Sequence, residues 1–136
     1  MLGAFFAAPF EEIGRYAEGG YPDRSVDAKG LTPVSLATLA EILGVGSYDD
    51  LFPSIADGGV DAQNGEQGVF PLPDAYRDAL ASTQDVDEIA AKWAATEELT
   101  LDRWETSVAA AVLRDATVLA RNAREGGEAL LFWWSL

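Results

Sequence analysis

Leu36, Leu39, Ala40 and Leu43 recur at helical spacing behind Thr32 and Pro33, and Gly44 follows them. A hydroxyl residue ahead of proline supplies an N-cap and a first-turn position that needs no N–H, while glycine accepts the left-handed turn that ends helices. The spacing predicts a helix over 33–43. Asp74 opens a second helix reaching Ala81, and Ser82-Thr-Gln-Asp85 then resembles a capping box with an acidic residue at N3. From Val86 to Glu98, Val86, Ile89, Ala90, Trp93 and Ala94 fall on one side, with Asp85, Asp87 and Glu88 at the positive helix start. The longest helix is predicted from Asp102 or Trp104 to Arg124, with Trp104, Val108, Ala111, Val112, Ala116, Leu119 and Ala123 on its apolar arc, ended by Gly126-Gly127.

Weaker patterns fill the remainder. Pro9 fits the first turn of a short helix bearing Phe10, Ile13 and Tyr16, stopped by Gly19-Gly20. Tyr21 to Gly30 is a polar connection with a short extended piece near Val26. Ser47 caps a single turn, Tyr48 to Phe52, ending before Pro53. Asp57 to Gly68, with its Asn64-Gly65 pair, is a surface loop or hairpin tip leading to a short strand at Val69 and Phe70. Glu128 to Leu136 is short, bulky and aromatic and is predicted as a terminal strand. These elements point to a mainly α fold, a compact helical domain of about four to five helices with a short C-terminal strand. The alternative is α+β with a small antiparallel sheet. No linker or repeat divides the chain, so residues 1–136 are expected to form one globular domain.

Composition narrows the chemistry. The chain holds no cysteine and no histidine, which excludes thiolate nucleophiles, Cys/His zinc sites and Ser-His-Asp triads built within it. Nucleotide-binding, hydrolase and zincin motifs are missing, and Asp57 to Glu66 fails the calcium-loop pattern because Gly59 and Ala62 occupy its third and sixth positions. No basic residue precedes the apolar stretch Leu2 to Phe10, so a secretory signal is not expected, and Ala129 to Trp134 is too short to span a bilayer. A cytoplasmic protein is the expectation, with no cofactor and no membrane contact.

Charge is the most distinctive feature. Nine Lys plus Arg face 23 Asp plus Glu, a net charge of -14, and such a surface repels nucleic-acid phosphate. From Gly30 to Ala91 there are eleven carboxylates and one basic residue, Arg77. The plain explanation is helix-start and loop carboxylates on a soluble acidic protein. The functional one is a surface for a basic protein partner, steered by opposite potentials. On that reading Glu41, Asp49, Asp50, Asp74, Asp78, Asp85, Asp87 and Glu88 form the contact face. Trp134 is added because neighbouring Trp133 and Trp134 in a strand point to opposite faces.

The expected function is therefore a non-enzymatic acidic binding protein, an immunity protein that neutralises a bacterial toxin by covering its basic surface. Alternatives are a DNA-mimic inhibitor of a nucleic-acid-binding protein and a small-molecule-binding domain using Trp and Arg residues. A deep pocket enclosing both residue types would favour the last. Arg103, Arg114 and Arg121 line one side of the long helix as candidate anion ligands or a solvated face. Glu97 and Asp115 fall on apolar stripes, where a buried carboxylate would suit a general acid.

Overall fold

The computed structural model describes all residues, 1–136. Its centre is a strand pair made from the two ends of the chain. Strand β1 (Leu2–Ala8) runs antiparallel to the last strand, with Leu2 opposite Ser135 and Ala8 opposite Ala129. The remaining strands are β2 (Val26–Asp27), β3 (Val60–Asp61), β4 (Gln67–Leu72) and β5 (Ala129–Ser135), in the sheet order β2-β1-β5-β4-β3 with every pairing antiparallel. Two-residue strands stand at both edges and leave little unpaired backbone to recruit another chain.

Seven helices accompany this five-stranded sheet, so the fold is α+β and the mainly α expectation is overturned. The helices are α1 (Ile13–Glu18), α2 (Pro33–Ile42), α3 (Tyr48–Ala56), α4 (Asp74–Ala81), α5 (Val86–Ala94), α6 (Glu97–Leu101) and α7 (Thr106–Glu125). A 3₁₀ turn, Phe10–Glu12, leads into α1. The physical reason for the miss lies in β1. Gly3 to Phe6 are all buried, so the strand lacks the alternation that marks a half-exposed one. Its pairing partner lies at the opposite end of the sequence.

Both sheet faces are covered. Phe5, Leu130, Phe132 and Leu72 join the larger core under α2–α7, with Phe5 and Phe132 meeting edge to face at 5.0 Å. Phe6, Val69, Leu131 and Trp133 form a smaller core with Ala17 of α1. Two buried aromatics tie the helical layer together. Tyr76 of α4 donates its hydroxyl to the Leu36 carbonyl at 2.9 Å, and Trp93 of α5 donates its indole N–H to the Ser35 carbonyl at 3.2 Å. Burial pushes the Tyr76 phenol's pKa far upward, so the group stays neutral and able to donate.

Several boundaries differ from the sequence pattern for local reasons. Helix α3 runs through Pro53 and buries Leu51 and Ile55, instead of stopping as a single turn. The Val86 to Glu98 helix is two: Ala95 ends α5, and Thr96 is the N-cap of α6. Helix α7 buries Ala109, Ala110, Leu113, Ala116, Thr117, Ala120 and Ala123, whereas Val108 and Val118 are exposed. This small-residue face packs against α4 and α5. The long apolar side chains that defined the expected arc lie partly outside it.

Gly3 is a close-approach position. A Cβ there would lie 2.7 Å from Cζ of the fully buried Phe132 ring and 2.8 Å from the Ala28 carbonyl oxygen, which belongs to the backbone following β2. Neither neighbour can move freely. Gly3→Ala is therefore expected to destabilise the protein by about 1–3 kcal/mol, read as a lower urea midpoint. An unchanged midpoint would contradict this packing.

Candidate functional site

The expected acidic face divides into two groups. Arg77 holds Asp78 at 2.9 Å and Asp74 at 3.5 Å while donating to the Glu128 carbonyl at 2.8 Å, so these carboxylates flank a structural arginine. Arg114 pairs with Asp87 at 2.9 Å, and Lys92 with Glu88 at 3.3 Å. Glu41, Asp49, Asp50 and Asp85 have no lysine or arginine within ion-pairing distance. Three of these serve α3: Asp49 and Asp50 lie in its first turn, and Glu41 accepts the Tyr48 N–H at 2.7 Å. Carboxylates at a helix start are stabilised by its exposed N–H groups. Trp134 is half-buried against the helical layer and stacks on Phe70 at 6.1 Å.

The three arginines expected on one side of the long helix have separate tasks. Arg114 makes the ion pair with Asp87. Arg121 donates to the Ala81 carbonyl at 2.9 Å, closing the end of α4. Arg103 lies before α7, in the turn after α6. Glu97 and Asp115, the carboxylates expected on apolar stripes, are both exposed. Their misplacement follows from the break at Thr96 and from the alanine-lined face of α7.

The largest concavity surrounds Arg103. It measures about 610 Å³, within the usual size of a small-ligand site. Strand β2 supplies Asp27 and the turn after it Lys29 and Gly30, and the α6–α7 turn supplies Asp102, Arg103 and Trp104. Val108 and Val112, from the first turns of α7, extend the apolar wall. Trp104 is steadied by the buried Trp93, with ring centroids 5.5 Å apart. The Asp102 carboxylate stands 3.5 Å from the Cβ position of Gly30, so the two turns face each other at contact distance. None of Asp27, Lys29, Asp102 and Arg103 forms an ion pair, with each other or with any other residue.

Arg103 has an unusual backbone. Its φ is +60°, and Arg24 is the only other non-glycine residue in the left-handed region. The cause is the end of α6: the Arg103 N–H reaches the Thr100 carbonyl and the Trp104 N–H reaches the Leu99 carbonyl. This is a Schellman turn, whose left-handed position usually belongs to glycine. The same turn closes α2 at Gly44 (φ +80°) and α7 at Gly127 (φ +67°). The sequence hid this turn because one helix was expected to end at Glu98 and the next to begin at Asp102 or Trp104, which leaves no separate helix ending at Leu101. Of the cleft, the sequence marked Arg103 as a candidate anion ligand and Trp104, Val108 and Val112 as members of an apolar arc; Asp27 and Lys29 carry no local signal.

No protein-family model, curated protein sequence or solved structure matches this chain. No helix is long and apolar enough to cross a membrane, and no group of three or more carboxylates is arranged to hold a metal ion.

The three Schellman turns predict substitutions of opposite sign. Gly44→Ala and Gly127→Ala should each cost about 1 kcal/mol, because a Cβ disfavours the left-handed backbone. Arg103→Gly should stabilise by about 1 kcal/mol, raising Tm by about 4 °C. A lower Tm for Arg103→Gly would mean that the arginine side chain supports the fold.

Proposed function

We propose that the chain is a binding protein, non-enzymatic, that holds a small ligand in the cleft between the β2 turn and the α6–α7 turn. The observation that carries this reading is the convergence of Arg103 and Lys29, neither in an ion pair, on a wall formed by Trp104, Val108 and Val112. An apolar wall with a few convergent charges is the ordinary composition of a ligand pocket. The exposure of Glu97 and Asp115 also favours binding over carboxylate catalysis, since exposed carboxylates are poor general acids near neutral pH.

The second reading is an immunity-type role against a basic partner such as a toxin. It is supported by the stretch between Lys29 and Arg77, which contains no basic residue while carrying Glu41, Asp49, Asp50, Asp57, Asp61 and Glu66. Attraction of a cationic surface to these carboxylates would speed association and weaken with salt.

An amide-resolved NMR titration separates the two. Phenylalanine, adenosine monophosphate and dodecanoate represent three small-ligand classes, and octalysine represents a cationic surface. The ligand-cleft reading expects one small molecule to shift the amides of residues 27–30 and 102–112 saturably, with Kd of about 1 mM or tighter. Silence of those amides to all three and to the dipeptide L-leucyl-L-phenylalanine would contradict it. The basic-partner reading expects octalysine to shift amides 41–66, with weaker binding in high salt and after Asp49→Lys with Asp50→Lys. Octalysine binding that ignores both changes would contradict that electrostatic mechanism.

A further inference from the structure

We propose, resting on the cleft being a ligand site, that its ligand is a zwitterion with an apolar side chain: a free apolar amino acid or a dipeptide. The cleft is lined by the cationic side chains of Lys29 and Arg103 and the anionic side chains of Asp27 and Asp102, with Met1 beside them. No cation and anion among them approaches within 4 Å, so none is engaged by another. A ligand that carries both an ammonium and a carboxylate can satisfy both kinds of group, while Trp104 and the α7 valines cover its side chain. The guanidinium fork of Arg103 matches a carboxylate, and Asp27 and Asp102 accept from an ammonium.

The net charge strengthens the choice. At -14, the protein repels a simple anion from its surroundings even where two local cations favour it. A zwitterion bears no net charge and is not repelled in this way. A simple cation would leave Arg103 and Lys29 without a partner.

The backbone at Arg103 supplies an independent reason to think that this side chain has a role. Glycine closes the equivalent turns at Gly44 and Gly127, and the backbone hydrogen bonds of the turn after α6 require nothing from a side chain. A cation near a helix C-terminus is favourable, but α6 spans only five residues and its Glu98, Leu99 and Thr100 carbonyls are already engaged by backbone N–H groups of the turn. An arginine in a left-handed conformation is therefore unfavourable for folding and useful for its guanidinium.

The test is an amide-resolved titration of the full chain with L-phenylalanine and the dipeptide L-leucyl-L-phenylalanine, compared with N-acetyl-L-phenylalanine, which lacks the ammonium, and L-phenylalaninamide, which lacks the carboxylate. One or both zwitterions should shift the amides of residues 28–30 and 102–108 saturably, and the tighter one identifies the ligand as amino acid or dipeptide. Each blocked analogue should bind about tenfold or more weakly, the loss expected when a charge-assisted hydrogen bond is removed. Arg103→Gly should weaken the zwitterion by about tenfold without lowering Tm, so lost binding cannot be attributed to unfolding. Absence of binding by both zwitterions, equal binding by either blocked analogue, or wild-type affinity in Arg103→Gly would overturn the proposal. Shifts of these amides by adenosine monophosphate or dodecanoate alone would overturn the zwitterion while leaving the cleft a ligand site. Silence to every probe would overturn both.

Discussion

The antiparallel pairing of β1 with β5 is the constraint on which the molecule is built. It joins residues from opposite ends of the chain over the full length of both strands, and it places Phe5, Phe6, Leu131 and Phe132 where both sheet faces can be covered. Everything between the two strands is thereby fixed as an excursion from the sheet and back to it. Gly3 keeps β1 thin enough for the backbone after β2 to cross beside Phe132. That crossing brings Asp27, Lys29 and Gly30 to the rim of the cleft. Opposite them, α7 packs through its small side chains against α4 and α5, which sets where its first turns and the preceding Trp104 emerge.

Much of this was legible where local chemistry decides the outcome. Helix α2 follows its Thr32-Pro33 start and its Gly44 stop, α4 begins at Asp74, and β5 follows its run of bulky residues. The hairpin tip near Asn64-Gly65 also lies between paired strands, with Gly65 at φ +69°. Those features depend on neighbours within a few positions. Strand β1 does not, because an apolar run buried on both faces has no period of its own until a partner is present. Helix α7 misled for a different reason: close packing selected mostly alanines for its inner face, while the expected arc followed Val108, Val112 and Leu119, none of which is fully buried.

The candidate site residues show the same division. The density of carboxylates between Gly30 and Ala91 is plain in the sequence, yet the fold puts Asp74, Asp78, Asp87 and Glu88 in ion pairs with the chain's own cations and uses Glu41, Asp49 and Asp50 at a helix start. The cleft was not legible, because Lys29 and Arg103 are brought together only by the crossing after β2 and the turn after α6. What distinguishes Arg103 is its position in a turn that two glycines occupy elsewhere in the same molecule, and that requires knowing where α6 ends.

On the zwitterion proposal, Arg103 is unfavourable to the free protein and favourable to the ligand-bound one. Ligand binding raises the stability of the folded state according to affinity, so the claim can be read in melting temperatures alone. The most direct measurement is Tm for the parent chain and for Arg103→Gly, each with and without saturating L-phenylalanine or L-leucyl-L-phenylalanine, whichever binds more tightly. The variant is expected to melt higher without ligand, and the parent chain higher with ligand present. A variant that melts below the parent without ligand, or stays above it at saturation, would show that Arg103 does not exchange folding stability for ligand binding.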